Sequence, residues 1–128
     1  MTPDALEVAA LTFLAEPHLA TLSVPRADGS IQVTPVGVTW SDDGIARVIA
    51  RGHSAKARRI EAEPGIRVTA CQVDGGRWLA LEGPATVTRD ADRIALAVDR
   101  YAARYRQPEP NPERIAIEIA VDRVTGRW

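Results

Sequence analysis

The chain has 128 residues, 45% of them hydrophobic and 26% charged, which fits one globular domain able to bury roughly two thirds of its unfolded surface. A formal charge of −1 excludes the broad basic face that general nucleic-acid binding requires. No apolar run reaches the ~18 residues of a membrane span, and the single cysteine, Cys71, excludes an internal disulfide and fits a reducing cytoplasm.

The N-terminus has no basic segment leading into an apolar run, so no signal peptide is expected. Thr2 can cap a first helix with Pro3 at its first position, where a missing N–H costs nothing. Leu6, Ala9, Ala10, Phe13 and Leu14 give that helix one apolar stripe. Three strand-like runs follow, His18 to Val24, Ile31 to Trp40 and Ile45 to Ala50. The turns between them are Ala27-Asp28-Gly29-Ser30 and Ser41-Asp42-Asp43-Gly44, which predicts an antiparallel meander. Pro35 and Gly37 interrupt the second run. Pro cannot donate to a neighbour and Gly permits close approach, so the site is either a bulge at a barrel corner or a face left open for an aromatic ligand.

After the third strand, Arg51, Gly52 and His53 form a turn and Ser54 opens a helix, its hydroxyl suited to accept from a first-turn N–H. Pro64 and Gly65 end the helix. Between Asp43 and Glu61 stand Arg47, Arg51, Lys56, Arg58 and Arg59 without one carboxylate, and Lys56 is the only lysine of the chain. A helix N-terminus carries about half a positive charge and free N–H donors. With a lysine and arginines within a turn it suits a doubly charged group such as phosphate. The same run equally describes a solvated basic helix face.

Ile66 to Val73 reads as a strand, Asp74 to Arg77 as a turn, and Trp78 to Arg89 as a long returning strand kinked at Gly83-Pro84. Asp90 can cap a third helix with Ile94, Ala97, Val98, Tyr101 and Tyr105 on one stripe. A link rich in arginine and proline leads to a final alternating strand, Ile115 to Val124. Six antiparallel strands with kinks predict closure into a small barrel, with residues 1–128 as one domain. There is no CxxC or HExxH, so no metal site is expected. GxSxG, GxGxxG and the P-loop are also absent. Any enzymatic chemistry therefore belongs to a bound organic cofactor.

The segments HLATLS, ADGSIQVTPVGVTW, ARVIARGHSAKARRIEAEPGIRVTACQ, DGGRWLALEGPATVT and RYAARYRQPEPNPERIAIEI resemble the split β-barrel flavin and deazaflavin oxidoreductases, the pyridoxamine-phosphate-oxidase-like proteins. Within that group the chain most resembles the actinobacterial biliverdin reductases that use the deazaflavin F420. The residues that carry this are Gln72 to Gly75, Arg77-Trp78-Leu79, Leu81-Glu82-Gly83, Arg100-Tyr101 through Tyr105-Arg106, Pro108 and Pro110-Asn111-Pro112.

The resemblance implies a six-stranded split β-barrel homodimer with cofactor sites at the subunit interface. It implies that Ser54 and Lys56 hold the cofactor phosphate, with Arg51 and Arg58 or Arg59 beside them. Gln32, Pro35, Val36, Ile49 and Ala50 would line the ring system, with Trp78 arriving from the neighbouring subunit. The substrate would be biliverdin or a similar conjugated acceptor, its carboxylates meeting Arg77, Arg104 or Arg106. Flavin-using relatives often carry a second basic residue directly before the lysine; here that residue is Ala55, which favours F420 over the alternative, FMN. Other outcomes are a carrier of flavin, deazaflavin or tetrapyrrole without turnover, and an FMN-dependent oxidase, whose substrate-binding C-terminus finds no match here.

Overall fold

The computed structural model describes residues 6–128, and the expected Thr2 cap with Pro3 lies outside the described residues. Helix α1 spans Val8–Ala15 and buries Ala10, Phe13 and Leu14, while Ala9 of the expected stripe is exposed. The meander follows as β1 (Ala20–Pro25), β2 (Ile31–Val36), β3 (Val38–Trp40) and β4 (Ile45–Arg51). Both predicted turns hold a glycine in the left-handed region, Gly29 at φ 90° and Gly44 at φ 80°, where a side chain would be strained. Helix α2 (Ala55–Ala62), β5 (Ile66–Asp74), β6 (Arg77–Thr88), α3 (Ala91–Arg104), β7 (Arg114–Ala120) and β8 (Arg123–Arg127) complete the chain.

All strand pairs are antiparallel, in the order β2-β1-β5-β6-β7-β4-β3, with β8 also on β6. Among the described residues the sheet therefore has eight strands where six were predicted. Two expected strands are broken, each for a visible reason. Ile31 to Trp40 divides at Gly37 because α3 sets its aromatic rings there: a Cβ on Gly37 would lie 2.6 Å from the Tyr101 ring and 3.1 Å from the Tyr105 ring. The gap at this glycine is thus filled by the protein's own tyrosines.

Ile115 to Val124 divides into β7 and β8. Between the pairs Ala85↔Ile119 and Glu82↔Arg123, residues 83 and 84 of β6 face residues 120 to 122. That one-residue excess is a bulge, and it bends the returning chain. Gly83 makes room for it, since a Cβ there would meet the Ala120 carbonyl oxygen at 2.0 Å.

The ladder is not closed, contrary to the barrel closure expected from the kinks. Its two end strands, β2 and β3, are consecutive in the chain, yet β2 pairs with β1 and β3 with β4. Pro35 on β2 has no N–H for a further partner, and the turn at Gly37 sends the two strands to different neighbours.

The core between the sheet's inner faces is aliphatic, built on Leu22, Val48, Val68, Leu79, Leu81, Ile115, Ile117 and Ile119. On β7 the alternate residues Ala116 and Glu118 are buried as well. Helix α3 packs over β7, β4 and β3, and Arg93 from that helix bonds Glu118. Asp90 caps α3 as predicted, its carboxylate accepting from the Arg93 N–H at 3.0 Å. This layer matters because α3 and the link after it form one wall of the groove described next.

Candidate functional site

Strand β4 and helix α2 meet in a tight turn. The Ser54 N–H donates to the Arg51 carbonyl at 3.0 Å, and the Gly52 N–H donates to the Glu113 carbonyl at 2.8 Å, which carries the β4–β7 pairing one residue further. The Ser54 hydroxyl accepts from the Ala57 N–H at 3.4 Å, so Ser54 is the N-cap. None of the described residues accepts from the N–H groups of Ala55 and Lys56, the donors that a free helix start offers to an anion.

This turn opens onto a groove of about 470 Å³, within the ~300–1,000 Å³ range of small-molecule sites. Ile49, Ala50, Arg51, Ser54 and Lys56 form one side, while Tyr101, residues 108–111 and Arg114 form the other. Five of the residues expected around a cofactor are therefore brought together.

Three cations, Arg51, Lys56 and Arg114, line the groove together with one acidic residue, Glu109. Arg51 and Arg114 are direct cross-strand partners, an arrangement of like charges that disfavours the sheet slightly. Among the described residues no carboxylate lies within ion-pair distance of Arg51, Lys56 or Arg114. Arg114 donates to the Glu109 carbonyl at 2.6 Å. Lys56 is half-buried, and burial holds its ammonium below the usual lysine range. A desolvated cation with no internal partner is stabilised most by an anion from outside.

The other expected contacts lie elsewhere. Arg59 donates to the Pro25 carbonyl at 2.9 Å and pairs with Glu63 at 3.0 Å, fastening α2 to the end of β1. Arg58 lines a separate cleft with His53 and Glu61. Gln32, Pro35 and Val36 sit on β2, with Val36 buried, and Trp78 sits on β6 opposite Arg127. None of these four lines the groove.

The arginines assigned to substrate have other neighbours too. Arg77 bonds both Glu16 and Asp74 and lies 4.4 Å from the Phe13 ring centroid. Its guanidinium, and then His18, hold the Glu16 carboxyl down at about 2. Glu16, His18 and Asp74 converge closely enough to suggest a cation site, but the Arg77 guanidinium already serves as their cation. Arg104 donates to the carbonyls of Glu16 and Val38 and to the Gln72 side chain, at 2.8, 2.5 and 2.8 Å. Arg106 is exposed on the link and does not line the groove.

Tyr101 and Arg114 are groove residues that pattern reasoning missed. Tyr101 lies on the apolar stripe of α3 and reads as core. Arg114 is a lone basic residue just before the last alternating run, and only the register of β4 against β7 places it opposite Arg51.

Comparison with known proteins bears on what such a groove holds. Residues 6–128 match the family model described as pyridoxamine 5'-phosphate oxidase. The chain is 49% identical over 118 residues, 91% of its length and 85% of the relative's, to the F420H(2)-dependent biliverdin reductase of Mycobacterium tuberculosis. Among solved structures it is similar to an F420 reductase, with a TM-score of 0.71 and 23% identity over 89% of this chain and 94% of that one. It is also similar to the heme storage protein HutZ from Vibrio cholerae, with a TM-score of 0.76 and 15% identity over 94% and 93% of the two chains.

Proposed function

The chain belongs to the pyridoxamine 5'-phosphate oxidase family, and on that premise we propose that it is an F420-dependent reductase whose acceptor is biliverdin. The observation that carries the proposal is the unpaired cationic groove at the start of α2, in a chain 49% identical to a reductase of that name. The donor set fits the cofactor. The helix start, the Ser54 hydroxyl and the half-buried Lys56 offer charge and N–H groups to a phosphodiester, and Arg51 stands beside them for a further anionic group. Ile49 and Ala50 supply an apolar wall for a ring.

When bound, the reduced deazaflavin supplies a hydride, and biliverdin reduced at its central methine bridge becomes bilirubin with a proton from water. The protein's part is to hold two flat molecules in register, which converts a bimolecular encounter into an oriented one. Pro35 and Trp78 do not line the groove of their own chain, so in this proposal they reach the ring from a second copy, whereas Gln32 and Val36 alternate onto the other face of β2, where Val36 is buried. Ile31 and Val33 of β2, Val73 of β5 and Trp78 of β6 are exposed on one face of the sheet, between 39% and 61%, an apolar surface suited to such a homodimer. Light scattering on the purified protein tests it, and a monomer at micromolar concentration rejects it.

The decisive experiment titrates the protein with F420, following quenching of its fluorescence, and separately with FMN, following absorbance. Reduced F420 and biliverdin are then mixed with the protein. Preferential F420 binding with bilirubin formed at the rate of F420 oxidation supports the proposal. Preferential FMN binding rejects the cofactor, and tight binding of biliverdin without F420 oxidation makes the protein a carrier.

A further inference from the structure

Beside the groove lies a second depression of about 420 Å³, between α3 and the end of the proline-rich link. Its floor is apolar, formed by Ile94, Ala95 and Val98 of α3 with Ile115 of β7, and its rim also carries Arg89, paired with Glu61, and Glu113, which faces His53. The two depressions share Asn111 and Arg114 as a common wall. Arg114 therefore faces both. Among the described residues its guanidinium makes one hydrogen bond, to the Glu109 carbonyl, which leaves most of its five donors free.

We propose that this α3 trough holds the body of the substrate, an extended conjugated acid, and that Arg114 binds the substrate's carboxylate. The assignment rests on the reductase proposal above and makes it specific. The trough supplies an apolar surface adjoining the cofactor groove, so a molecule lying along it has one end beside the ring site. An apolar floor ending in a cation with no carboxylate partner among the described residues matches a ligand with a flat hydrophobic body and an acidic side arm. The substrate arginines expected from the sequence do not compete for this role, because Arg77 and Arg104 are bonded within the fold.

The test compares biliverdin with its dimethyl ester, measuring dissociation constants by absorbance titration on the wild type, Arg114→Gln and Ala95→Trp. Ala95 is exposed on α3, so the tryptophan fills the trough without entering the core. The wild type is expected to bind the acid on the order of tenfold more tightly than the ester, as one charge-assisted bond requires. Arg114→Gln should bind both alike, and Ala95→Trp should weaken both about tenfold, with F420 affinity unchanged in the tryptophan variant.

If Arg114 only braced the link through Glu109, its loss would weaken acid and ester equally. An acid-to-ester ratio that survives in Arg114→Gln therefore overturns the assignment, as does unchanged tetrapyrrole affinity in Ala95→Trp. A wild type that binds F420 but neither tetrapyrrole overturns the trough and leaves the cofactor proposal standing. A wild type that binds tetrapyrrole but not F420 defeats the reductase proposal.

Discussion

Two basic regions flank the last turn of α3, and they treat charge in opposite ways. At its C-terminal end Arg104 and Arg77 are saturated: one bonds two backbone carbonyls and Gln72, the other bonds Glu16 and Asp74. Across the groove, Arg51, Lys56 and Arg114 have no carboxylate partner among the described residues. Exposed arginines such as Arg106 also lack a partner, but water solvates them at little cost. Lys56 and Arg114 are partly desolvated and still unpaired, which marks a place for an external anion beside the exposed Arg51. The first region holds the fold together, and the second is available for binding.

The largest expected effect breaks the saturated region. Arg104→Ala removes three hydrogen bonds and leaves the side-chain oxygen of the buried Gln72 without its donor, and it should cost about 3 kcal/mol in chemical denaturation. F420 affinity measured below the unfolding transition should not change; a loss of affinity as large as the loss of stability would erase the contrast between the two regions.

Lys56→Ala is the mirror experiment. F420 binding should weaken by about 1.5–3 kcal/mol, the worth of a charge-assisted bond to phosphate, while thermal stability stays level or rises because a desolvated charge is removed. Unchanged affinity in a fluorescence titration would take Lys56 out of the site.

Gly37→Ala sits between the two regions, where the tyrosine rings meet the break between β2 and β3. A Cβ 2.6 Å from the Tyr101 ring forces that ring to move and should destabilise by about 1–3 kcal/mol. Because Tyr101 also lines the groove, F420 affinity should fall with it, whereas an effect on stability alone would assign Tyr101 to packing only.

The smallest effects are pH dependences, and the two regions run in opposite directions. Burial lowers the Lys56 pKa from 10.5, so folding is disfavoured while the lysine is charged and this cost fades as pH rises toward 10.5. A bound anion needs the charged form, so F420 affinity should decline over that same alkaline window in wild type but not in Lys56→Ala. Glu16 is lowered from 4.5 to about 2, chiefly by Arg77. Its stabilisation is complete above 4.5 and is lost as pH falls toward about 2. Arg77→Gln should therefore unfold at a higher pH in an acid titration followed by circular dichroism.

Local features were readable without coordinates because they depend on neighbours in the chain. The Ser54 and Asp90 caps, the glycine turns at Gly29 and Gly44, and the charge run around Lys56 are of this kind. Ile49, Ala50, Arg51, Ser54 and Lys56 share a groove because they lie within eight consecutive positions of one strand, turn and helix. Arginines far apart in the chain could not be sorted. Arg77, Arg104 and Arg114 look alike as letters, and their separate fates follow from which carboxylates and carbonyls the fold sets beside them.

By itself the sequence determined the antiparallel elements, their caps and turns, the membership of a family and the basic start of α2, all of which rest on periodicity and local hydrogen bonding. Tertiary structure decided that two of the expected strands break, that the sheet stays open between β2 and β3, and which cations remain unpaired. Those outcomes depend on contacts across dozens of residues, the tyrosines over Gly37, the Ala120 carbonyl over Gly83 and the register of β4 on β7. No local pattern encodes which distant group will arrive to fill a gap or neutralise a charge.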